Sequence, residues 1–174
     1  SENYISHTDG KKTLFEKIYQ IAKVYNLNQK LNLIRSTTKG KKILDYGCGA
    51  GDFLQHMQKN GYDVLGMEPN EKAFEISQSK IGKDNVVNCE LKDINQKFDI
   101  ITMWHVLEHI PNLNEILSEL KKHLTPNGTL IIAVPNHLSY DATYYGNVWA
   151  AYDVPRHLWH FNPQSIQSLI KKFG

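Results

Sequence analysis

Three stretches of this sequence hold side chains whose types and spacing could do chemistry. The run ILDYGCGAGDF, residues 43–53, sets Gly47, Gly49 and Gly51 between two carboxylates, Asp45 and Asp52. The run GMEPN places another acid, Glu68, 23 residues after Asp45. Histidines supply the third group: His105 and His109 in WHVLEH, with Glu108 between them, and His157 and His160 in VPRHLWHFNP.

Glycines at a strand-to-helix turn let the backbone approach a ligand closely. In an open α/β sheet that turn is where ligands bind. The dinucleotide pattern G-x-G-x-x-G would need a glycine at position 52, where this chain has Asp52. Acids around the turn repel a pyrophosphate and favour a cation. S-adenosylmethionine carries a sulfonium and an ammonium group and no phosphate. Glu68, at the end of the next strand, can accept both hydroxyls of a ribose. Each feature alone is commonplace, a plain turn or a solvated acid. In this order, within one strand–helix–strand unit, they point to a cofactor site.

A histidine near its ordinary pKa suits proton removal at neutral pH. His105, Glu108 and His109, at i, i+3 and i+4, would face one way on a helical turn. That geometry would suit bracing of the turn, contact with cofactor or acceptor, or a metal. The His157–His160 pair could ligate zinc, but no third or fourth ligand has a recognisable spacing, and Cys48 belongs to the glycine turn. No metal is assigned on this basis. His160 and Phe161 directly precede Asn162, where side chains commonly staple the start of a helix. The candidate bases are His105, His109, His157 and His160, with His7 and His137 behind them, and His157, flanked by Arg156 and near Trp149, is the one placed in the acceptor pocket.

Elements that would position these groups follow from hydrophobic periodicity. TLFEKIYQIAKVY places Leu14, Phe15, Ile18, Ile21, Ala22 and Tyr25 on one helical face, and NQKLNLIRS reads as a second short helix ended by Gly40. Strands are expected at KKILDYG, YDVLGME, NVVNCE, FDIITMW and TLIIAV. Helices are expected at DFLQHMQKNG, NEKAFEISQSK (Asn70 as N-cap) and LNEILSELKKHL, and TPNG reads as a turn. Strands this continuously apolar are covered by helices on both faces. The fold class is therefore α/β, a Rossmann-like, doubly wound, mostly parallel sheet of five strands. Residues 136–161 lack a period and read as a long functional loop. NPQSIQSLIKKFG reads as a final helix with Asn162 as N-cap and Pro163 at its first position. Residues 1–40 would form a helical cap, 41–135 the cofactor-binding core, and 136–174 the acceptor-side loop and last helix of the same domain.

The length of 174 residues suits one core, and a net charge of +2 from scattered basic residues does not suggest a nucleic-acid footprint. No apolar run approaches the roughly 18–20 residues that span a bilayer, and no signal peptide opens the chain. Two cysteines, Cys48 and Cys89, make no disulfide framework. A cytoplasmic protein without a membrane or nucleic-acid partner is the expectation.

Residues 41–135 resemble the class I S-adenosylmethionine-dependent methyltransferases. LDYGCGAGDF is similar to their glycine motif, GMEPN to the ribose acid, FDIITMWHVLEHI to the fourth strand and its loop, and LTPNGTLIIAVPN to the fifth strand. WHVLEHI and PRHLWHF look most like a subgroup that includes the ubiquinone-biosynthesis O-methyltransferases. The resemblance implies that Asp45, Gly47, Cys48, Gly49 and Gly51 surround the methionine end of the cofactor and that Glu68 binds its ribose. It implies Pro69, Glu90 and Leu91 near the adenine, and Trp104 near the sulfonium and the acceptor. The third strand lacks the G-D that commonly precedes the adenine contact, and His105 stands where the subgroup has an acid. Tyr4, His7 and Tyr19 would cover the cofactor. The implied activity is methylation of a small molecule, on oxygen, with His157, His105 or His109 assisting deprotonation. The usual [DN]-P-P-[YF] of N-methylating enzymes is replaced by MWHV. A cofactor-binding module without catalysis is the competing reading, because the class has two further strands. An NAD-dependent reductase stands third.

Overall fold

The computed structural model describes the backbone of residues 6–173 and side chains from residue 14 onward, so Tyr4 and the side chain of His7 lie outside the described residues. The chain divides into two compact units between Lys39 and Gly40.

The first unit is one helix, α1 (Ser6–Thr37), rather than the two expected. Asn26 and Asn28 at the expected break are weak helix formers, but no Gly or Pro interrupts the turn. Ser36 and Thr37 hydroxyls donate to the Leu33 carbonyl at the end of the helix. The stripe Leu14, Phe15, Ile18, Ile21 and Tyr25, read as one apolar helical face, is exposed, as is Tyr19.

The second unit alternates strands and helices: β1 (Lys42–Tyr46), α2 (Asp52–Lys59), β2 (Asp63–Met67), α3 (Glu71–Ile81), β3 (Val86–Val87), β4 (Phe98–Trp104), α4 (Leu113–His123) and β5 (Leu124–Ala133). The five strands pair in parallel in the order β3-β2-β1-β4-β5. Strand order therefore reverses at β1 and β4, and the crevice beyond their C-terminal ends is where such sheets take ligands. Ile43, Leu44, Ile100, Ile101 and Met103 are fully buried, the consequence of covering both faces. Asn70 caps α3 as expected, its side chain accepting from Ala73 N.

TPNG is not a turn ahead of the fifth strand but an irregularity inside it. Phe98 pairs with Leu124, and two residues later Ile100 pairs with Thr129. A Cβ on Gly128 would lie 2.9 Å from Leu124 Cδ2 and 3.0 Å from the Phe98 carbonyl oxygen, so the bulge folds tightly only on glycine.

Residues 136–161 are more ordered than a loop. They hold a short helix, α5 (Tyr140–Tyr145), capped by Ser139, and 3-10 turns at Gly146–Val148 and Ala150–Tyr152. A six-residue helix cannot display a hydrophobic period, so composition concealed it. The last helix, α6 (Pro163–Ile170), starts as expected: Asn162 and Ser165 form a reciprocal capping box, with Pro163 at the first position. Ile166, Leu169 and Ile170 pack against the core. No helix among the described residues is long and apolar enough to cross a membrane.

Candidate active site

The glycine turn leaves β1 at Tyr46 and is tied to β2: Gly47 N and Cys48 N both donate to the Met67 carbonyl, each at 2.9 Å. Gly47, Gly49 and Gly51 take positive φ values of 77, 55 and 76°. At Gly47 the requirement is doubled, because a Cβ there would lie 2.6 Å from Val106 Cγ2.

Asp45 is 2% exposed, and its register partner on β4, Thr102, donates to its Oδ1 at 2.6 Å. Asp52 has a different role from the one expected. It pairs with Lys80 of α3 at 2.7 Å, so its charge is compensated away from the turn. The second acid at the turn is instead Glu68. Its Oε2 accepts from Gly49 N at 2.7 Å and its Oε1 from Asn70 N at 2.9 Å. The Cys48 thiol registers this anionic surrounding. Burial first, then Asp45 and Glu68, push its pKa up to about 12.

Beyond the turn lies a cavity of about 470 Å³, walled by Gly47, Glu68, Pro69, Cys89, His105 and His109 among others. A second cavity of similar size shares Tyr46, Cys89 and Ile110 with it and adds Glu90 and Leu91. Leu91 is 5% exposed and opens a 3-10 turn, while Glu90 is an exposed partner of Lys92 at 2.6 Å. Trp104 packs edge-on against Phe53, ring centroids 5.4 Å apart, and lines neither cavity. Tyr46, Asn88, Cys89 and Ile110 are cavity walls that the motifs did not single out. Tyr46 alone carried a signal, as the last strand residue before the glycines.

His105, Glu108 and His109 are not on one helical face. His105 has a φ of 59°, and Leu107–His109 form a 3-10 turn. The structure replaces that triad with another: Glu108, His109 and His157 have ligand atoms all within 4.8 Å of one another. The His109 and His157 rings meet edge to face at 4.6 Å. His109 Nδ1 donates to the Arg156 carbonyl at 3.0 Å, and His157 Nδ1 to the Ala151 carbonyl at 2.8 Å. Carbonyl acceptors fix the proton on Nδ1 and leave the Nε2 lone pair of each ring available. His105 Nδ1 lies 3.7 Å from Glu108 Oε1 and is exposed.

Residues 153–160 form a strap across this turn. Leu158 N and Trp159 N donate to the Glu108 carbonyl, and Trp159 Nε1 donates to the Ile110 carbonyl. Arg156 is bound to Asp153, whose carboxyl it holds below the usual range. His160 belongs to the strap and not to the start of α6: its Nε2 pairs with the Tyr152 carbonyl at 3.0 Å. The apolar residue beneath the helix start is Phe161, 5% exposed. His137 lies 3.4 Å from the Asn162 side chain, away from the cavity walls.

Comparison with known proteins meets this geometry. A ubiquinone biosynthesis O-methyltransferase of Coxiella burnetii (strain Dugway 5J108-111) is 30% identical over 123 residues, 67% of this chain and 52% of the relative. The chain thus spans about half the length of the curated relatives it matches. A SAM-dependent methyltransferase from Archaeoglobus fulgidus superposes with a TM-score of 0.72 at 23% identity, over 94% of this chain and 73% of that one. The plantazolicin methyltransferase BpumL, solved in complex with SAH, gives 0.67 at 20% identity, over 78% of this chain and 56% of that one. These two share the fold. The methyltransferase domain family matches residues 19–174, and the chain belongs to that family.

Proposed function

We propose that this chain binds S-adenosylmethionine and transfers its methyl group to a small molecule, on oxygen. The observation that carries the reading is Glu68. Its carboxylate lies at a cavity wall, oriented by the Gly49 and Asn70 amides, with lone pairs left for the two ribose hydroxyls. Asp45 and Glu68 make the turn anionic, which suits a cationic methionine moiety and opposes a pyrophosphate. The Gly47–Gly51 turn, including Cys48, receives the methionine end. Pro69, Glu90 and Leu91 flank the adenine. Family membership and relatives whose names specify O-methylation support the same reading.

Transfer from a sulfonium is an in-line displacement of an already activated methyl group, so the protein mainly aligns the nucleophile. A hydroxyl must also lose its proton. His105 and His109 wall the cavity, His157 meets the His109 ring, and these histidines assist that loss, the last two through available Nε2 atoms.

The test is transfer of a labelled methyl group to a panel of phenols, hydroxy acids and lipid precursors. Methylation of at least one class supports the reading. Cofactor binding without transfer to any of them favours a binding module that has no catalysis of its own.

A further inference from the structure

We propose that the first half of α1 docks the protein on an anionic lipid surface. Leu14, Ile18, Ile21 and Tyr25 recur at intervals of four, three and four residues, so on an α-helix they fall in one line. Phe15, Tyr19 and Ala22 stand beside that line, and Glu16 and Gln20 occupy the opposite side. The stripe is open: Phe15 and Ile21 are each 71% exposed, and Tyr25 is 65% exposed. An apolar surface this continuous marks an interaction site, where singly scattered apolar residues would not. Leu31 and Ile34, the buried residues of the helix, do not account for it. Ile34 follows Tyr25 by nine residues, about two and a half turns, and so lies on the other side of the helix.

Charge selects the occupant. Residues 1–39 carry seven Lys and Arg against three Asp and Glu, a balance of +4, whereas residues 40–174 carry thirteen against fifteen, a balance of −2. The basic excess therefore sits on the unit that bears the stripe. Lys17 borders the stripe one turn before Ile21, and Lys23 lies one turn after Tyr19 at its other border. From such positions an ammonium reaches headgroup phosphates while its stem lies along apolar surface. Tyr19 and Tyr25, each an apolar ring with a polar tip, suit the same boundary. Two copies of so basic a unit repel each other, which disfavours the stripe as a contact between copies. The stripe is about 18 Å long, and no helix among the described residues can cross a bilayer, so α1 would lie along the surface. The expectation of no membrane partner rests on the lack of a spanning run and does not bear on a helix lying flat. Docking of this kind is independent of what the cofactor cavity holds.

The experiment is co-sedimentation of the whole chain with vesicles of phosphatidylcholine containing about a quarter phosphatidylglycerol, beside vesicles of phosphatidylcholine alone. Binding to the anionic vesicles is expected, at least about tenfold tighter than to the neutral ones and weakening as salt rises from about 0.1 M to 0.5 M. Replacing Ile18 and Ile21 together by Asp should weaken binding more than about tenfold, and Lys17→Glu should weaken it by about tenfold. Gln20→Ser, on the opposite side of the helix, should leave it within about twofold. Ile18 and Ile21 are exposed, so the double variant should melt with the parent, and this separates loss of the docking surface from loss of fold. No binding to anionic vesicles, equal binding to both kinds, or parent-like binding by the double variant overturns the proposal. So does a dimer in sedimentation velocity that the double variant abolishes, because a second copy would then cover the stripe. Cofactor calorimetry reports the methyl-transfer reading separately.

Discussion

Gly49 and Glu68 are joined by a 2.7 Å hydrogen bond, the backbone amide of the glycine turn donating to a carboxylate at the end of the neighbouring strand. The bond orients the acid and holds the turn open together. Replacing Glu68 by Ala should weaken S-adenosylmethionine by about 1.5–3 kcal/mol, the scale of hydrogen bonds to a charged group. It should also cost some stability without ligand, because the Gly49 and Asn70 amides lose their acceptor. Calorimetry and thermal melting measure the two effects. Unchanged affinity would place the ribose elsewhere.

The anionic turn also controls thiol chemistry. With a pKa of about 12, Cys48 is almost wholly protonated at pH 8 and is buried. Cys89 is exposed at the cavity wall. Iodoacetamide should therefore label Cys89 well before Cys48, and bound S-adenosylmethionine should slow the Cys89 reaction. Peptide mapping reads the order. Prior labelling of Cys48 would contradict the burial described for the turn.

His157 is expected to act on the acceptor side. His157→Ala should lower turnover by about a hundredfold or more while cofactor affinity stays within about twofold. Steady-state kinetics beside calorimetry separates the two. An equal loss of cofactor binding would refute the placement.

Asp99 closes the entrance to β1, accepting from Lys41 N at 3.0 Å and Lys42 N at 3.2 Å. Those backbone bonds hold its pKa below the ordinary 3.8. Its contribution is present above that ordinary value and is lost as pH falls through the lower folded value. Asp99→Asn should cost about 1 kcal/mol at pH 7 after solvent screening, and the gap to the parent should close below pH 3.8. A gap that persists in strong acid would assign the effect to packing.

The sheet was legible because apolar runs between glycine and asparagine signals announce strands and helix starts through local chemistry. The Asn162 capping box and the Asn70 cap are of the same kind. What the sequence concealed depends on pairing across distance. Asp52 belongs to Lys80, 28 residues on, and no local pattern marks that. The Glu108–His109–His157 cluster needs a strap 47 residues downstream to fold over the turn. His105 looked like a member of that group on helical spacing, but its positive φ breaks the helix that the spacing assumed.

The proposed role of the glycine turn and Glu68 is to hold S-adenosylmethionine. Titration calorimetry of the chain with S-adenosylmethionine and, separately, with NAD tests it most directly. Saturable one-to-one binding of S-adenosylmethionine, with no heat from NAD, is the predicted result. Binding of NAD alone would contradict it.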